Sequence, residues 1–194
     1  MTGPGTLAPM DPLAHELTLE QFVMEMGRVP VRELTHERFL DLVDRLRLSD
    51  ELIESRIRFL DDEYARNLVL RTAQFELLVL CWRPGQRSTI HDHAGSLNAI
   101  RVRSGELTSR VFRPAAGAAP GSGPVELVTE DRVGPGESLI GVDRGGIHQL
   151  ADTMEEPLVT VHVYAPPLLE LNVYDTASAA VERRPLRYSV HEDL

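Results

Sequence analysis

A chain of 194 residues with 42% hydrophobic content is long enough to bury one substantial core. Its formal net charge of −10 argues against nucleic acid or an anionic membrane as a partner, because both repel an acidic chain. The single cysteine, Cys81, excludes an internal disulfide framework and a thiolate zinc cluster, and all 20 basic residues are arginine, which excludes lysine chemistry.

The sequence also predicts where the protein is located and how many domains it has. No uninterrupted apolar run approaches the ~20 residues of a membrane span, and the N-terminus lacks the layout of a signal peptide. We therefore expect a soluble, cytoplasmic protein. Residues 1–194 are expected to form one domain and a monomer: a loose leader rich in Gly and Pro over 1–14, a helical cap over 15–60, and a β-barrel over 64–190.

Three helix starts are predicted in the cap. Thr18 with Gln21 forms a capping-box pattern, Thr35 caps a second helix, and Ser49 or Asp50 begins a third. Apolar residues at helical spacing follow each of the last two starts.

From Tyr64 onward the hydrophobic period changes to two, and turn signals recur every 8–12 residues. The predicted strands are Phe75–Trp82, Ile90–His93, Ala99–Arg103, Leu107–Phe112, Val125–Val128, Ser138–Val142, Leu158–Tyr164 and Asn172–Tyr174. The segment Pro114 to Pro124 is a low-complexity hairpin excursion. Many short strands favour a mainly β sandwich or small barrel over a parallel α/β sheet.

A metal site is predicted at His91-Asp92-His93. Residues two apart in a strand point to the same side, so both imidazoles can reach one ion while Asp92 points away. His148, on a distant strand, would complete a three-nitrogen face with open coordination positions.

Two glycines and an asparagine flank these histidines, in the order Gly85, His91, His93, Asn98 and Gly105. Their spacing resembles the first motif of the cupins, which are jelly-roll-like β-barrels with a metal in the barrel mouth, except that Asn98 replaces the usual glutamate. Gly145-x-x-His148 resembles the second motif. Three neutral ligands leave a dipositive ion its full charge for anionic ligands brought by a substrate.

Four motifs lie in order between about Tyr64 and Tyr174. They are Tyr64-Ala65-Arg66-Asn67-Leu68-Val69, Leu80-Cys81-Trp82, Ser88-Thr89-Ile90-His91-Asp92-His93 and His162-Val163-Tyr164-Ala165-Pro166-Pro167. Together they show a resemblance to the cysteine dioxygenase family, of the bacterial type. It implies a mononuclear Fe(II) enzyme that adds both atoms of O₂ to the thiol of L-cysteine and gives cysteine sulfinic acid.

Arg66 is the candidate for holding the substrate carboxylate, with Tyr64 two residues away on the same face as a second donor. A guanidinium fork matches a carboxylate, and the resemblance implies this role. The alternative is a surface ion pair with the neighbouring acidic residues Asp61, Asp62 and Glu63.

The strand Leu158–Tyr164 alternates, with valines on one face and Thr160, His162 and Tyr164 on the other. Polar groups on an inward face need partners, and the resemblance implies a catalytic relay in which threonine stands for the family's serine. In the alternative reading, His162 is the third metal ligand and His148 is a turn residue. We prefer His148 because it follows the Gly145-Gly146 turn.

Two features relate to the tyrosine. In animal members of the family, a cysteine at the position of Asn98 is joined to the active-site tyrosine by a thioether. Asn98 cannot form this bond, and Cys81 lies in a different strand, so Tyr164 is expected to be uncrosslinked. The resemblance also implies a cis Ala165–Pro166 bond.

Two other functions compete with cysteine oxidation. A dioxygenase for 3-mercaptopropionate or another small thiol carboxylate tends to carry glutamine where Arg66 stands, so Arg66 favours cysteine. A cupin that binds metal without catalysis has no need of the buried set of Thr160, His162 and Tyr164.

Overall fold

The protein is described by a computed structural model over residues 15–118, 121–136 and 140–189, so the predicted leader 1–14 lies outside the described residues. Helices α1 (Leu19–Arg28), α2 (His36–Arg45) and α3 (Asp50–Glu54) come first in the described chain. Each begins where the sequence predicts. Thr18 and Gln21 form both bonds of the capping box, and Thr35 and Ser49 accept hydrogen bonds from the backbone amides of Arg38 and Leu52.

The rest of the described chain is mainly β. Its strands are β1 (Ala65–Arg71), β2 (Glu76–Trp82), β3 (Ile90–Asp92), β4 (Leu97–Ser104), β5 (Leu107–Pro114), β6 (Val125–Val133), β7 (Ile140–Val142), β8 (Ile147–Asp152), β9 (Leu158–Ala165), β10 (Glu170–Tyr174) and β11 (Glu182–Pro185). Within the described residues they form two antiparallel sheets, ordered β1-β2-β9-β4-β7 and β11-β10-β3-β8-β5-β6. The architecture is a jelly-roll-like cupin sandwich of two sheets rather than one closed barrel, and the predicted mainly β class is confirmed.

The differences from the predicted strands are local. Strands β1, β8 and β11 were not predicted individually, because apolar and polar residues alternate poorly in their sequences. Strand β3 ends one residue earlier than predicted, since Ala94 and Gly95 turn the chain with φ of 47° and 96°. The predicted Ser138 start of β7 lies outside the described residues.

The helical cap covers the outer face of the first sheet. Phe22 and Phe39 are fully buried against that sheet, where the valine face of β9 contributes Val163. A neighbouring cluster joins Ile53 of α3 to Val159. Fully burying each such side chain contributes roughly 1.5–3 kcal/mol, so the cap fixes which face of β9 turns inward.

The opposite face of the first sheet forms the interior between the sheets. Leu78, Leu80, Trp82 and Tyr164 belong to the cluster there. Thr160 and His162 are fully buried, so the predicted alternation of Leu158–Tyr164 is confirmed.

The fold also bears on the Pro114 to Pro124 segment, the Ala165–Pro166 bond and the character of the helices. The segment Pro114 to Pro124 joins β5 to β6, with Pro114 opposite Val125 in the ladder. The Ala165–Pro166 bond is cis, as the resemblance implied. Among the described helices, none has the length and apolar character needed to cross a membrane.

Candidate active site

Three imidazoles meet on the face of the second sheet that points into the interior between the two sheets. His91 and His148 lie directly opposite each other in the β3–β8 register, and His93 follows β3 on the same side as His91. One nitrogen from each ring can be chosen so that all three lie within 4.8 Å of one another, and all three residues are buried. The structure thus brings together the three histidines that the sequence singles out.

The spacing of the donor atoms fits a metal ion. His148 Nε2 and His93 Nε2 are 2.9 Å apart. Two nitrogens that bind one ion at about 2.1 Å and at a right angle lie about 3.0 Å apart. The pair is therefore arranged as two neighbouring ligands would be.

The protonation of the rings also suits metal binding. Burial lowers the pKa of His91 to about 4 and holds the pKa of His93 and of His148 well below the usual range, so all three are neutral near pH 7. His91 Nδ1 lies 2.9 Å from the carbonyl oxygen of Thr89, which fixes the proton on Nδ1 and leaves Nε2 free. Neutral imidazoles bind Fe, Zn, Ni or Cu ions without a deprotonation step.

Asp92 points away from the cluster, as the alternation predicts. Its carboxylate accepts hydrogen bonds from the Tyr174 hydroxyl at 2.6 Å, the Asn172 amide at 2.9 Å and the Ala94 amide at 2.8 Å. These contacts tie β3 to β10 and shape the turn after His93. Asp92 therefore supports the histidine strand from behind.

A chain of hydrogen bonds runs along the inward face of β9. Trp82 Nε1 lies 3.0 Å from Thr160 Oγ1, which lies 2.9 Å from His162 Nε2. His162 Nδ1 in turn lies 3.1 Å from the Tyr164 hydroxyl. Both ring nitrogens of His162 are therefore bonded to protein groups, and this geometry favours His148 over His162 as the third metal ligand.

The direction of this chain follows from Trp82, because an indole N–H can only donate. Thr160 Oγ1 accepts from Trp82, and among the described residues the acceptor for its own proton is His162 Nε2. Burial lowers the pKa of His162 to about 3, so the neutral ring carries its proton on Nδ1 and donates it to the Tyr164 oxygen. Burial also raises the pKa of Tyr164 far above its usual range, and its proton is left to point into the cavity.

Arg66 and Tyr64 lie beside this tyrosine. The guanidinium carbon of Arg66 is 5.8 Å from the centre of the Tyr164 ring, and that ring is 5.4 Å from the ring of His93. Tyr64 stacks on Trp82 with a centroid distance of 4.1 Å. Arg66 and Tyr64 thus face the interior together, close to the histidine cluster.

The alternative prediction for Arg66, a surface ion pair with the neighbouring acidic residues, was wrong. Its side chain is 7% exposed and pairs with Glu76, which is fully buried, at 3.3 Å between Nη2 and Oε1. The pair is therefore interior, and Asp61, Asp62 and Glu63 are not its counterions. Glu76 was not predicted as part of the site, although a lone carboxylate in the apolar strand Phe75–Trp82 indicates a buried cation nearby.

Asn98 and Cys81 lie on different sides of the first sheet. Asn98 is opposite Tyr164 in the β4–β9 register, and its amide donates to the carbonyl of Val163 at 3.3 Å. Cys81 belongs to the cluster under α3, and its sulfur contacts the Asn67 amide at 3.4 Å. A thioether from Cys81 to Tyr164 is excluded by this geometry.

Comparison with known proteins agrees with the motifs. The family model for cysteine dioxygenase type I matches residues 41–177. Cysteine dioxygenase type 1 of Homo sapiens is 31% identical over 116 residues, which are 58% of this chain and 56% of that protein. The enzyme of the same name from Danio rerio is 30% identical over the same shares, so the match spans about half the length of these relatives.

A solved structure is similar in fold. A conserved protein from Klebsiella pneumoniae with a double-stranded β-helix domain gives a TM-score of 0.52 at 20% identity, covering 66% of this chain and 92% of the other. At this identity the likeness concerns the fold alone, and it supports the cupin architecture.

Proposed function

The chain belongs to the cysteine dioxygenase type I family, and from that membership we propose that it oxidises L-cysteine with O₂ to cysteine sulfinic acid. The observation that carries the proposal is the meeting of three groups in one interior: the histidine cluster, the Tyr164 phenol and the Arg66 guanidinium. The thiol and the amine of L-cysteine can both bind a metal held by the histidines, and its carboxylate matches the Arg66 guanidinium. The Tyr164 phenol is left to donate to the reacting atoms.

We propose His91, His93 and His148 as ligands of Fe(II). When bound, the iron supplies a site that favours thiolate over thiol and activates O₂. Three neutral ligands leave its positive charge uncompensated by the protein, which favours an anionic substrate.

Arg66 and Tyr64 are proposed to hold the substrate carboxylate. Two of the contacts of Arg66 Nη2 are to Glu76 and to the carbonyl of Leu168, whereas its buried Nε has no hydrogen-bond partner among the described residues. A substrate carboxylate that lies beside Nε would accept a hydrogen bond from the Nε–H. It would also orient the thiol toward the histidines.

Tyr164 is proposed as the group that donates a hydrogen bond to the reacting atoms, with His162 and Thr160 orienting it. In the hydrogen-bond chain that starts at Trp82, His162 donates to the Tyr164 oxygen and does not accept the phenol proton. That proton is therefore available to a ligand in the cavity. The high pKa of Tyr164, caused by burial, keeps the phenol protonated at neutral pH.

The test is anaerobic addition of a thiol to the iron-loaded protein, followed by air. Oxygen uptake with formation of one sulfinate per O₂ from L-cysteine supports the proposal, and faster turnover of 3-mercaptopropionate would replace it with the second substrate. Metal binding without oxygen uptake from either thiol would indicate a non-catalytic cupin. We also propose that the enzyme acts as a monomer in the cytoplasm, and light scattering after size exclusion measures the oligomeric state.

A further inference from the structure

Glu76 is a fully buried carboxylate at the start of β2, directly opposite Tyr164 in the β2–β9 register. Its position beside the site is fixed by the sheet. A carboxylate without exposure to solvent needs several donors around it, because the loss of its hydration is costly.

Three donors from three parts of the chain meet this carboxylate. Oε1 accepts from Arg66 Nη2 at 3.3 Å and from the Leu168 amide at 3.1 Å, and Oε2 accepts from the Tyr188 hydroxyl at 2.6 Å. Burial and the bond to Glu76 raise the pKa of Tyr188 to about 12, so this phenol is a donor at neutral pH. Glu76 is therefore the common partner of the arginine, the loop after Pro167 and the C-terminal segment.

The bond from Glu76 restricts how Arg66 can point. With Nη2 held by Glu76 and the Leu168 carbonyl, rotation of the guanidinium about its long axis would break a charge-assisted contact in the interior. The Nε–H is left buried and without a partner among the described residues. The backbone of Arg66 is fixed as well, since its amide donates to Ser189 Oγ at 2.8 Å and its carbonyl accepts from the Ser189 amide at 3.0 Å.

We propose that Glu76 is a positioning residue that orients the Arg66 guanidinium and thereby determines selectivity for thiols that carry a carboxylate. This inference rests on the proposed function, because it takes Arg66 as the carboxylate-binding group. Glu76 does not touch the substrate. It acts by holding Nη2 of Arg66, which fixes the orientation of the guanidinium and leaves the neighbouring Nε–H for the ligand.

The test compares binding of L-cysteine with binding of cysteamine, which has the same thiol and amine without the carboxylate. The zinc-loaded protein is used because zinc is redox-inert and accepts imidazole ligands. Binding is followed by the fluorescence of Trp82, the single tryptophan, which stacks on Tyr64 in the cavity. The measured quantity is the ratio of the two dissociation constants.

Glu76→Leu should lower the preference for cysteine by about tenfold or more, through weaker cysteine binding with cysteamine binding unchanged. Glu76→Gln should retain most of the preference for cysteine, because its amide oxygen can still accept hydrogen bonds from Arg66 Nη2 and the Leu168 amide. Tyr188→Phe is the matched control, since it removes a buried hydrogen bond to Glu76 and leaves the pair with Arg66 intact. It should keep the wild-type ratio.

If Glu76→Leu does not fold, Glu76→Asp replaces it. This variant retains the charge and withdraws the acceptor from Arg66 by about one methylene, and an intermediate loss of preference is expected. An unchanged ratio of dissociation constants in the folded Glu76 variant, including one in which both thiols bind equally more weakly, would overturn the inference. It would leave the proposed function standing. A wild-type protein that binds both thiols alike would overturn the carboxylate role of Arg66 and the inference together.

Discussion

Replacing Thr160 by valine isolates the hydrogen-bond chain on β9 from its packing. Valine has nearly the same shape, so the change removes one hydroxyl from a fully buried position. Trp82 Nε1 and His162 Nε2, at 3.0 and 2.9 Å, both lose their partner. Each unsatisfied buried group costs about 1–3 kcal/mol, so the free energy of unfolding should fall by about 2–6 kcal/mol.

The same change should lower turnover. Without the Thr160 proton, nothing among its described contacts holds His162 in the Nδ1–H tautomer. The ring can then accept the Tyr164 proton, which diverts that proton from the cavity. We expect turnover to fall by about tenfold or more, while the affinity for cysteine changes little.

Urea unfolding followed by Trp82 fluorescence gives the stability, and an oxygen electrode gives the turnover. Thr160→Ser is the control, because it keeps the hydroxyl and should retain turnover with a loss of about 1 kcal/mol in stability. Wild-type turnover in a folded Thr160→Val protein would show that the direction of the chain is irrelevant to catalysis. Wild-type stability would show that Trp82 and His162 find other partners.

Four further outcomes test the site. His148→Ala should abolish tight zinc binding in equilibrium dialysis; an unchanged one-to-one stoichiometry would remove this residue from the ligand set. Arg66→Ala should weaken cysteine binding by about 2–5 kcal/mol, seen as a higher KM, and intact cysteine kinetics would place the carboxylate elsewhere. Tyr164→Phe should lower kcat more than it raises KM, and the reverse pattern would make the phenol a binding group. The metal-free protein should lose stability as the pH falls from about 6.5 toward 4, since burial lowers the pKa of His91 to about 4 and of His162 to about 3. The unfolded chain takes up these protons first, at about 1.4 kcal/mol per pH unit for each ring, and a urea midpoint that rises on acidification would contradict this sign.

Local patterns predicted most of the scaffold of this site. The capping residues Thr18 and Thr35 lie directly before helices, and the two-residue period of Leu158–Tyr164 separates the capped face from the interior face. These predictions succeeded because caps and alternation depend on neighbours within a few residues.

The contacts of Arg66 could not be predicted in the same way. Its partner Glu76 is ten residues away along the chain, and the third member, Tyr188, is 112 residues from Glu76. The antiparallel pairing of β1 with β2 and the path of the C-terminal segment bring them together. A buried charge in an apolar strand indicates that a partner exists, and only the tertiary structure identifies it.

Because His91 pairs with His148, the candidate metal centre depends on whether each histidine occupies an odd or an even position in its strand. The two ligands meet because β3 and β8 place them directly opposite each other. Side chains alternate between faces, so insertion or deletion of a single residue within either strand would turn a histidine out of the interior. Loops between the strands carry no such constraint, because their length does not decide which face of a strand a side chain occupies. The number of residues between the histidines can therefore change with loop length, whereas the odd or even position of each histidine within its strand is fixed by the fold.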